Sequence, residues 1–136
     1  MKKQQSGFTL IELIAVIVIL GIIAATAVPR FVDLSAAATE ASTRGVAGAL
    51  GSASALNHAN NIANSAGLTI TQDVVAVGSC ADVENLLESP LAADYAITGA
   101  GTIADRASAE CEVTRGTYSA TFTAFGATAA TAPTTP

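Results

Sequence analysis

The first strong pattern along the chain is an apolar run of 21 residues, from Phe8 to Val28, in which Glu12 is the only ionisable side chain. As an α-helix this run would extend roughly 31 Å, which matches a bilayer core of about 30 Å. Lys2 and Lys3 precede it, and no other basic residue occurs before Arg30. Basic residues on this flank predict that the N-terminus stays cytoplasmic while the rest of the chain is exported.

Helical periodicity continues after the apolar run, through a segment rich in alanine and serine. The apolar positions with helical spacing in its second part are Val46, Leu50, Ala53 and Leu56. Gly67, directly after this segment, predicts the C-terminal stop of a helix from about residue 8 to about residue 64. A domain of this size cannot bury both ends of such a helix.

Glycines interrupt the second half of this helix at a spacing of three residues. They are Gly45, Gly48 and Gly51. Each weakens the helix, but together they form a stripe of small residues that is predicted to permit close packing of a sheet or a neighbouring helix.

After Leu68 the pattern changes to short segments typical of β-strands. The candidate strands are residues 73–78, 95–98, 111–114 and 117–125. The last of these alternates strictly, which predicts that Tyr118 and Phe122 face the core. Residues 82–88 predict a short helix, capped by Ser79 or Asp82. The fold class is therefore α+β, with one long N-terminal helix packed at its C-terminal half on an antiparallel sheet.

Composition narrows the range of functions. The chain is 51% hydrophobic, only 12% charged and 4% aromatic, with a net charge of −5. The acidic balance argues against a nucleic-acid backbone as the default partner. The low charge also excludes an ordinary disordered chain.

Residues Lys2 to Pro29 carry a more specific pattern, a short basic leader ending in Gly7 and followed by Phe8-Thr9-Leu10-Ile11-Glu12 and the apolar run. In this the chain resembles the type IV pilin family. The resemblance implies that a prepilin peptidase cleaves between Gly7 and Phe8 and methylates the new Phe8 amine. It also implies a cleaved leader (1–7), a transmembrane and filament-core helix (8–29) and an exported globular head (30–136).

Physical reasoning gives Glu12 a role in assembly. A carboxylate inside a membrane-spanning segment costs on the order of 2.5–3.5 kcal/mol on insertion scales, so it needs a partner. The candidate cation after cleavage is the Phe8 amine of an adjacent copy, and this pairing would fix the axial register of the helices. The alternative is a tolerated polar residue that reaches the headgroups.

Gly21 and Pro29 are the predicted weak points of the apolar helix. Proline lacks an N–H and clashes with the carbonyl four residues earlier, and glycine costs about 1 kcal/mol relative to alanine. The resemblance implies that the segment between them unwinds when subunits enter the filament. A simple proline kink is the alternative.

Cys80 and Cys111 lie in the exported half, and an even number of cysteines there favours a disulfide. A zinc site lacks ligands, since His58 is the only histidine and there is no CxxC motif. The resemblance implies that the disulfide bounds a surface loop, here residues 81–110. The carboxylates of this loop match no calcium motif and favour a solvated face. His58 is interpreted as a polar residue on the helix surface.

The function implied is that of a structural subunit, held in the inner membrane and then polymerised with itself into an extracellular pilus for adhesion or attachment and, as a further use, motility. The implied partners are the prepilin peptidase, the pilus assembly machinery, the inner membrane and a host or environmental surface. The chain has no GxSxG, HExxH or phosphate-loop motif, so the sequence predicts neither enzymatic activity nor a cofactor or metal.

Narrower and alternative interpretations remain open at this stage. The stretches FVDLSAAA (31–38) and VGSCADVENLL (77–87) look most like the mannose-sensitive haemagglutinin type of type IVa pilin from Gram-negative bacteria. The alternatives are a minor pilin, a type II secretion pseudopilin, and a soluble exported binding domain released by ordinary signal cleavage after Ala27. Residues 128–136 predict a tail that is flexible or O-glycosylated.

Overall fold

A computed structural model describes residues 7–132, with only the backbone described for residues 28–33. The chain divides into two compact units, Met1–Ala38 and Thr39–Pro136. One α-helix, α1 (Leu10–Ser65), contributes to both units. The N-terminal unit contains the apolar part of α1, and the C-terminal unit contains its remainder together with a sheet.

The C-terminal end of α1 is fixed by the glycine that follows it. The N–H of Leu68 donates to the carbonyl of Ala63 at 2.9 Å, and the N–H of Gly67 donates to that of Asn64 at 3.0 Å. Gly67 has φ 75°, the left-handed conformation that this pair of hydrogen bonds requires. The predicted helix stop is therefore confirmed.

The sheet has three antiparallel strands in the order β1-β2-β3: β1 (Tyr95–Gly99), β2 (Ser108–Arg115) and β3 (Tyr118–Phe125). A two-residue loop joins β2 to β3, and its first residue, Gly116, has φ 59° as a type II′ turn requires. The candidate strands within 95–125 are therefore confirmed, and two of the three are longer than predicted.

The predicted strand at residues 73–78 is wrong. Only two isolated bridges form there, Val74 with Ala130 and Val77 with Ala127. Between them the side-chain amide of Asn57 takes both backbone groups of Val75, accepting its N–H at 2.9 Å and donating to its carbonyl at 2.8 Å. Because Val75 is bonded to a side chain, a continuous strand ladder cannot run through it.

One face of α1 packs on the sheet and contains more polar residues than apolar ones. Its buried residues are Thr43, Ala47, Leu50, Ser54, Asn57 and Asn61. Each of the four polar side chains has a hydrogen-bond partner, among them the N–H of Phe125, which donates to Ser54 at 2.8 Å. Leu56 has the predicted helical spacing but is 66% exposed, since this polar face turns it outward.

The core between α1 and the sheet is small and surrounds the cysteines. Its larger buried apolar side chains are Leu50, Val77, Val83, Ile103, Val113 and Phe122. Phe122 faces the core as predicted. Tyr118, on the same face of β3, is only half-buried.

The helix predicted at residues 82–88 is a shorter 3₁₀ helix, Ala81–Leu86. No side chain caps it, so the predicted cap is wrong. Instead, the carboxylate of Asp82 accepts the N–H of Gly78 at 3.0 Å and the hydroxyl of Ser79 at 2.9 Å. Asp82 therefore holds the turn before the 3₁₀ helix.

Candidate functional site

The N-terminal part of α1 exposes apolar side chains on all sides. Leu10–Ala27 is long and apolar enough to cross a membrane, with a mean hydropathy of 2.7, and the described part of the chain buries none of it. Phe8, just before it, is 89% exposed. An apolar surface of this size is not stable in water, so lipid or other chains must cover it.

Thr9 and Glu12 form a capping box at the start of this segment. The Glu12 carboxylate accepts the backbone N–H of Thr9 at 2.8 Å and its hydroxyl at 2.7 Å, and the Glu12 N–H donates to the Thr9 hydroxyl at 3.4 Å. All the bonds to the carboxylate use Oε2. Sequence reasoning missed Thr9, although the spacing of threonine and glutamate by three residues is the signature of this motif.

The predicted processing and hinge residues lie along the same part of the chain. Gly7 and Phe8 precede the helix and are exposed, the accessibility that a peptidase requires. Helix α1 runs without interruption through Gly21 and Pro29, and the Pro29 side chain lies outside the described residues. Cleavage, methylation and unwinding between Gly21 and Pro29 remain predictions.

The C-terminal unit contains the predicted disulfide between Cys80 and Cys111, and both residues are buried. Gly99 lies against it in a left-handed conformation, with φ 136°. A Cβ at Gly99 would lie 2.7 Å from the Cys80 sulfur and 3.1 Å from Cα of Cys111. The disulfide therefore needs a glycine at this position.

Arg115 connects the sheet to α1 through a cluster of polar side chains. Its guanidinium donates to Asp94 at 2.6 Å and to the Ser42 hydroxyl at 3.0 Å, and lies 5.0 Å from the Tyr95 ring centroid. The Ser42 and Tyr95 hydroxyls are 2.6 Å apart. The hydrogen bond to Asp94 raises the pKa of Arg115, so its charge is permanent. These hydrogen bonds fasten the sheet and the residue before β1 to α1.

His58 packs differently from the sequence interpretation. Its ring stacks on Phe125 with 4.5 Å between centroids, so it is part of the helix–sheet contact and not simply a polar residue on the helix surface. Among residues 7–132, no group of three or more His, Cys, Asp or Glu side chains is arranged to hold a metal.

Asp105 ties α1 to the segment that follows β3. Its Oδ1 accepts the Asn61 amide at 2.7 Å and the Thr128 N–H at 3.1 Å, and Arg106 lies 3.2 Å from Oδ2. The Asn61 hydrogen bond is the largest cause that lowers the pKa of Asp105 below its usual 3.8, with Thr128 and Arg106 adding to it. The unfolded chain therefore binds more protons than the folded chain near pH 4.

We expect Asp105→Asn to reduce the acid sensitivity of the C-terminal unit. A carboxyl whose folded pKa is lowered contributes stability above its unfolded pKa and loses it as pH falls through the folded pKa. In the full chain in detergent, denaturant midpoints measured by circular dichroism should fall less steeply below about pH 4 in the variant. Glu88→Gln is the matched control, since Glu88 is exposed and accepts no hydrogen bond from any described residue. If the denaturant midpoints of wild type and Asp105→Asn fell equally steeply with pH, the lowered pKa of Asp105 would be contradicted.

Two comparisons with known proteins find similarities to this chain. Residues 2–28 match the family described as the Prokaryotic N-terminal methylation motif. Over 53 residues, the chain is 58% identical to the type IV narrow pilus major component PilA5 of Thermus thermophilus. This match covers 39% of the chain and 46% of the relative, so the chain spans about half the length of that relative. No solved structure matches the chain.

Both similarities support the resemblance to type IV pilins. The methylation motif includes Gly7, Phe8 and Glu12, the residues singled out for processing and assembly. The α+β architecture, with a long N-terminal helix, an antiparallel sheet and a disulfide, is also pilin-like.

Proposed function

We propose that the chain is the structural, non-enzymatic subunit of a type IV pilus. The observation that carries the proposal is the exposed, apolar segment Leu10–Ala27, which has a single carboxylate in its first turn and lies within the N-terminal methylation motif. The segment needs lipid before assembly and neighbouring copies afterwards, because no described residue of its own chain buries it.

A second exposed surface, on the C-terminal unit, supports packing between copies. The exposed side of α1 there carries a stripe of uncharged residues, Ala41, Gly45, Ala49, Ser52 and Leu56. Their spacing of three and four residues places them on one line along the helix. Because these side chains are mostly small and uncharged, another helix can approach closely without leaving a charge unpaired.

Within the filament, Glu12 is proposed to pair with the Phe8 amine of an adjacent copy. The capping box supports this role because it orients the carboxylate through Oε2 and leaves Oε1 without a hydrogen bond from any described residue. A charged amine and carboxylate inside an apolar bundle stabilise each other only when they meet, so pairing selects one axial register.

Processing and location follow from the same proposal. A prepilin peptidase would cleave between Gly7 and Phe8 on the cytoplasmic side and methylate Phe8, and the assembly machinery would then move the subunit from the inner membrane into an extracellular filament. Adhesion or attachment to a surface is the proposed use. Within the family we propose the mannose-sensitive haemagglutinin type, a subtype that rests on residues 31–38 and 77–87 alone.

Mass spectrometry and microscopy of sheared surface filaments test the proposal. We expect this chain as the main component, beginning at N-methylated Phe8, and we expect Glu12→Ala to reduce filament yield at least tenfold at wild-type expression. Glu88→Ala, which removes a carboxylate from the exposed surface of the head, should leave the yield unchanged. Normal filaments from Glu12→Ala would overturn the role of Glu12. A mature chain beginning at Val28 would overturn the proposal itself and favour a soluble exported domain.

A further inference from the structure

A groove of about 580 Å³ lies between α1 and the outer edge of β3 in the C-terminal unit. Its β3 wall runs from Ala120 to Phe125, and its α1 wall includes Gly48, Gly51 and Ser52. Five residue steps along a strand span about 17 Å, so the groove is as long as a short strand.

The hydrogen-bond pattern of the hairpin determines which backbone groups of β3 face this groove. The two-residue loop makes Arg115 and Tyr118 a hydrogen-bonded pair. Tyr118 and every second residue of β3 after it direct their backbone N–H and C=O groups toward β2, and the residues between them direct these groups the other way. Thr121 and Thr123 therefore direct their N–H and C=O groups away from β2. Phe125 has the same orientation, and its N–H indeed donates outward, to Ser54.

These outward groups have no partner within the described chain. Between residues 7 and 132, no hydrogen bond to Thr121 or Thr123 occurs outside the pairing of β2 with β3. The other edge of the sheet differs, because the N–H of Tyr95 in β1 donates to Ala92 at 3.0 Å and the 3₁₀ helix contacts β1. An unpaired edge is a template for a further strand.

The α1 wall leaves space for such a strand. A Cβ at Gly48 would meet no atom within 4 Å, and one at Gly51 would meet only Phe122, at 3.6 Å. Arg44 is the one charged residue among those lining the groove, and its guanidinium is already held by Glu40 at 2.5 Å. The groove therefore suits an extended, uncharged segment.

We propose that a second copy of this chain adds an extended segment to the open edge of β3 in the assembled filament. The inference rests on the proposed function, since only polymerisation brings copies together at this surface. A second copy is the occupant because the groove is continuous with the exposed, uncharged stripe on α1 that the proposed function assigns to packing between copies, and Ser52 belongs to both. Main-chain hydrogen bonds to Thr121 and Thr123 then join neighbouring subunits.

Amide hydrogen exchange compares the free and assembled states of the same protein. In the full mature chain in detergent, the amides of Thr121 and Thr123 should exchange quickly. In filaments their exchange should slow at least about 100-fold. The amides of Cys111 and Phe122, which pair within the sheet, should be protected in both states and serve as the control. If the amides of Thr121 and Thr123 exchanged equally fast in the two states, the proposal would be overturned. It would also be overturned if these amides were protected only after a foreign peptide was added to the free chain, and not in filaments.

A proline substitution tests the same edge by assembly. Thr121→Pro removes an N–H that points away from β2, so no hydrogen bond to β2 is lost. An edge strand tolerates proline at such a position. We expect folded, membrane-inserted Thr121→Pro subunits to give at least tenfold fewer filaments than wild type, and Thr121→Ala, which keeps the N–H, to assemble normally. Equal assembly of all three overturns the inference while leaving the proposed function intact. Absence of filaments from the wild type would instead count against the proposed function.

Discussion

Replacing Gly126 by alanine should unfold the C-terminal unit or destabilise it by at least about 3 kcal/mol, the upper part of the range for overpacking. Gly126 is buried directly after β3, with its N–H donating to the carbonyl of Ala107 and its own carbonyl accepting the N–H of Arg106, each at 2.9 Å. A Cβ there would overlap the carbonyl oxygen of Ala104 and lie 3.0 Å from that of Ile103. Backbone atoms cannot rotate away as a side chain does, so the two segments would have to separate.

The Gly126 effect is measured by thermal unfolding of the full chain in detergent, followed by circular dichroism. Gly101→Ala is the matched control, because a Cβ at that exposed glycine meets nothing within 4 Å and should change stability by no more than about 0.5 kcal/mol. A Gly126→Ala variant with wild-type stability would show that this close approach does not exist in solution.

Removing both cysteines should cost the C-terminal unit about 3.7 kcal/mol. The disulfide joins positions separated by 31 residues, and closing a loop of that length restricts the unfolded chain by about this amount in the chain-entropy model. The cost is large for this chain, because its core contains Phe122 as the only buried aromatic residue among those described. A typical domain has only about 5–15 kcal/mol of total stability.

Denaturant unfolding of Cys80→Ala/Cys111→Ala, beside wild type with and without reductant, measures this contribution. The reduced wild type should resemble the double variant, and the oxidised wild type should require more denaturant to unfold. Ser79→Ala is the control for a neighbouring change that leaves the disulfide in place. If reduction left the unfolding midpoint unchanged, the disulfide would not be a main source of stability.

Local sequence was sufficient to predict the long helix and its limits. The apolar run, the helical spacing after it and the glycine at position 67 predicted residues 8–64, and α1 occupies Leu10–Ser65. These signals act within one or two turns, so they do not depend on what α1 packs against. The strict alternation of small polar and larger apolar residues predicted β3 for the same reason.

Prediction failed where a distant side chain replaces regular backbone pairing. Residues 73–78 have the composition of a strand, but the Asn57 amide, 18 positions earlier than Val75, takes the hydrogen bonds of that residue. Likewise, Leu56 has the spacing of a packed residue, whereas the polar residues Ser54, Asn57 and Asn61 face the sheet. A polar face can be buried only when each group meets a partner, and that is a property of the folded chain.

The important residues outside the core were likewise predictable only where their signal is local. Gly7, Phe8 and Glu12 were identified from their order in the sequence, and the capping box adds Thr9, whose spacing from Glu12 was already visible there. Nothing in the sequence indicated the need for glycine at positions 99 and 126, since each depends on an approach by another segment.

The sequence by itself determined that this chain has an apolar helical segment with one carboxylate, a C-terminal half that contains both cysteines, and a helix that ends at a glycine. Those features are local, and periodicity, charge and composition reveal them directly. Only the tertiary structure decided that β3 keeps an open edge beside the glycines of α1, and that Asn57, Asn61 and Asp105 hold the helix to the segments around the sheet. These arrangements depend on which distant residues meet, because a backbone or side-chain group is satisfied or left open only in a particular packing.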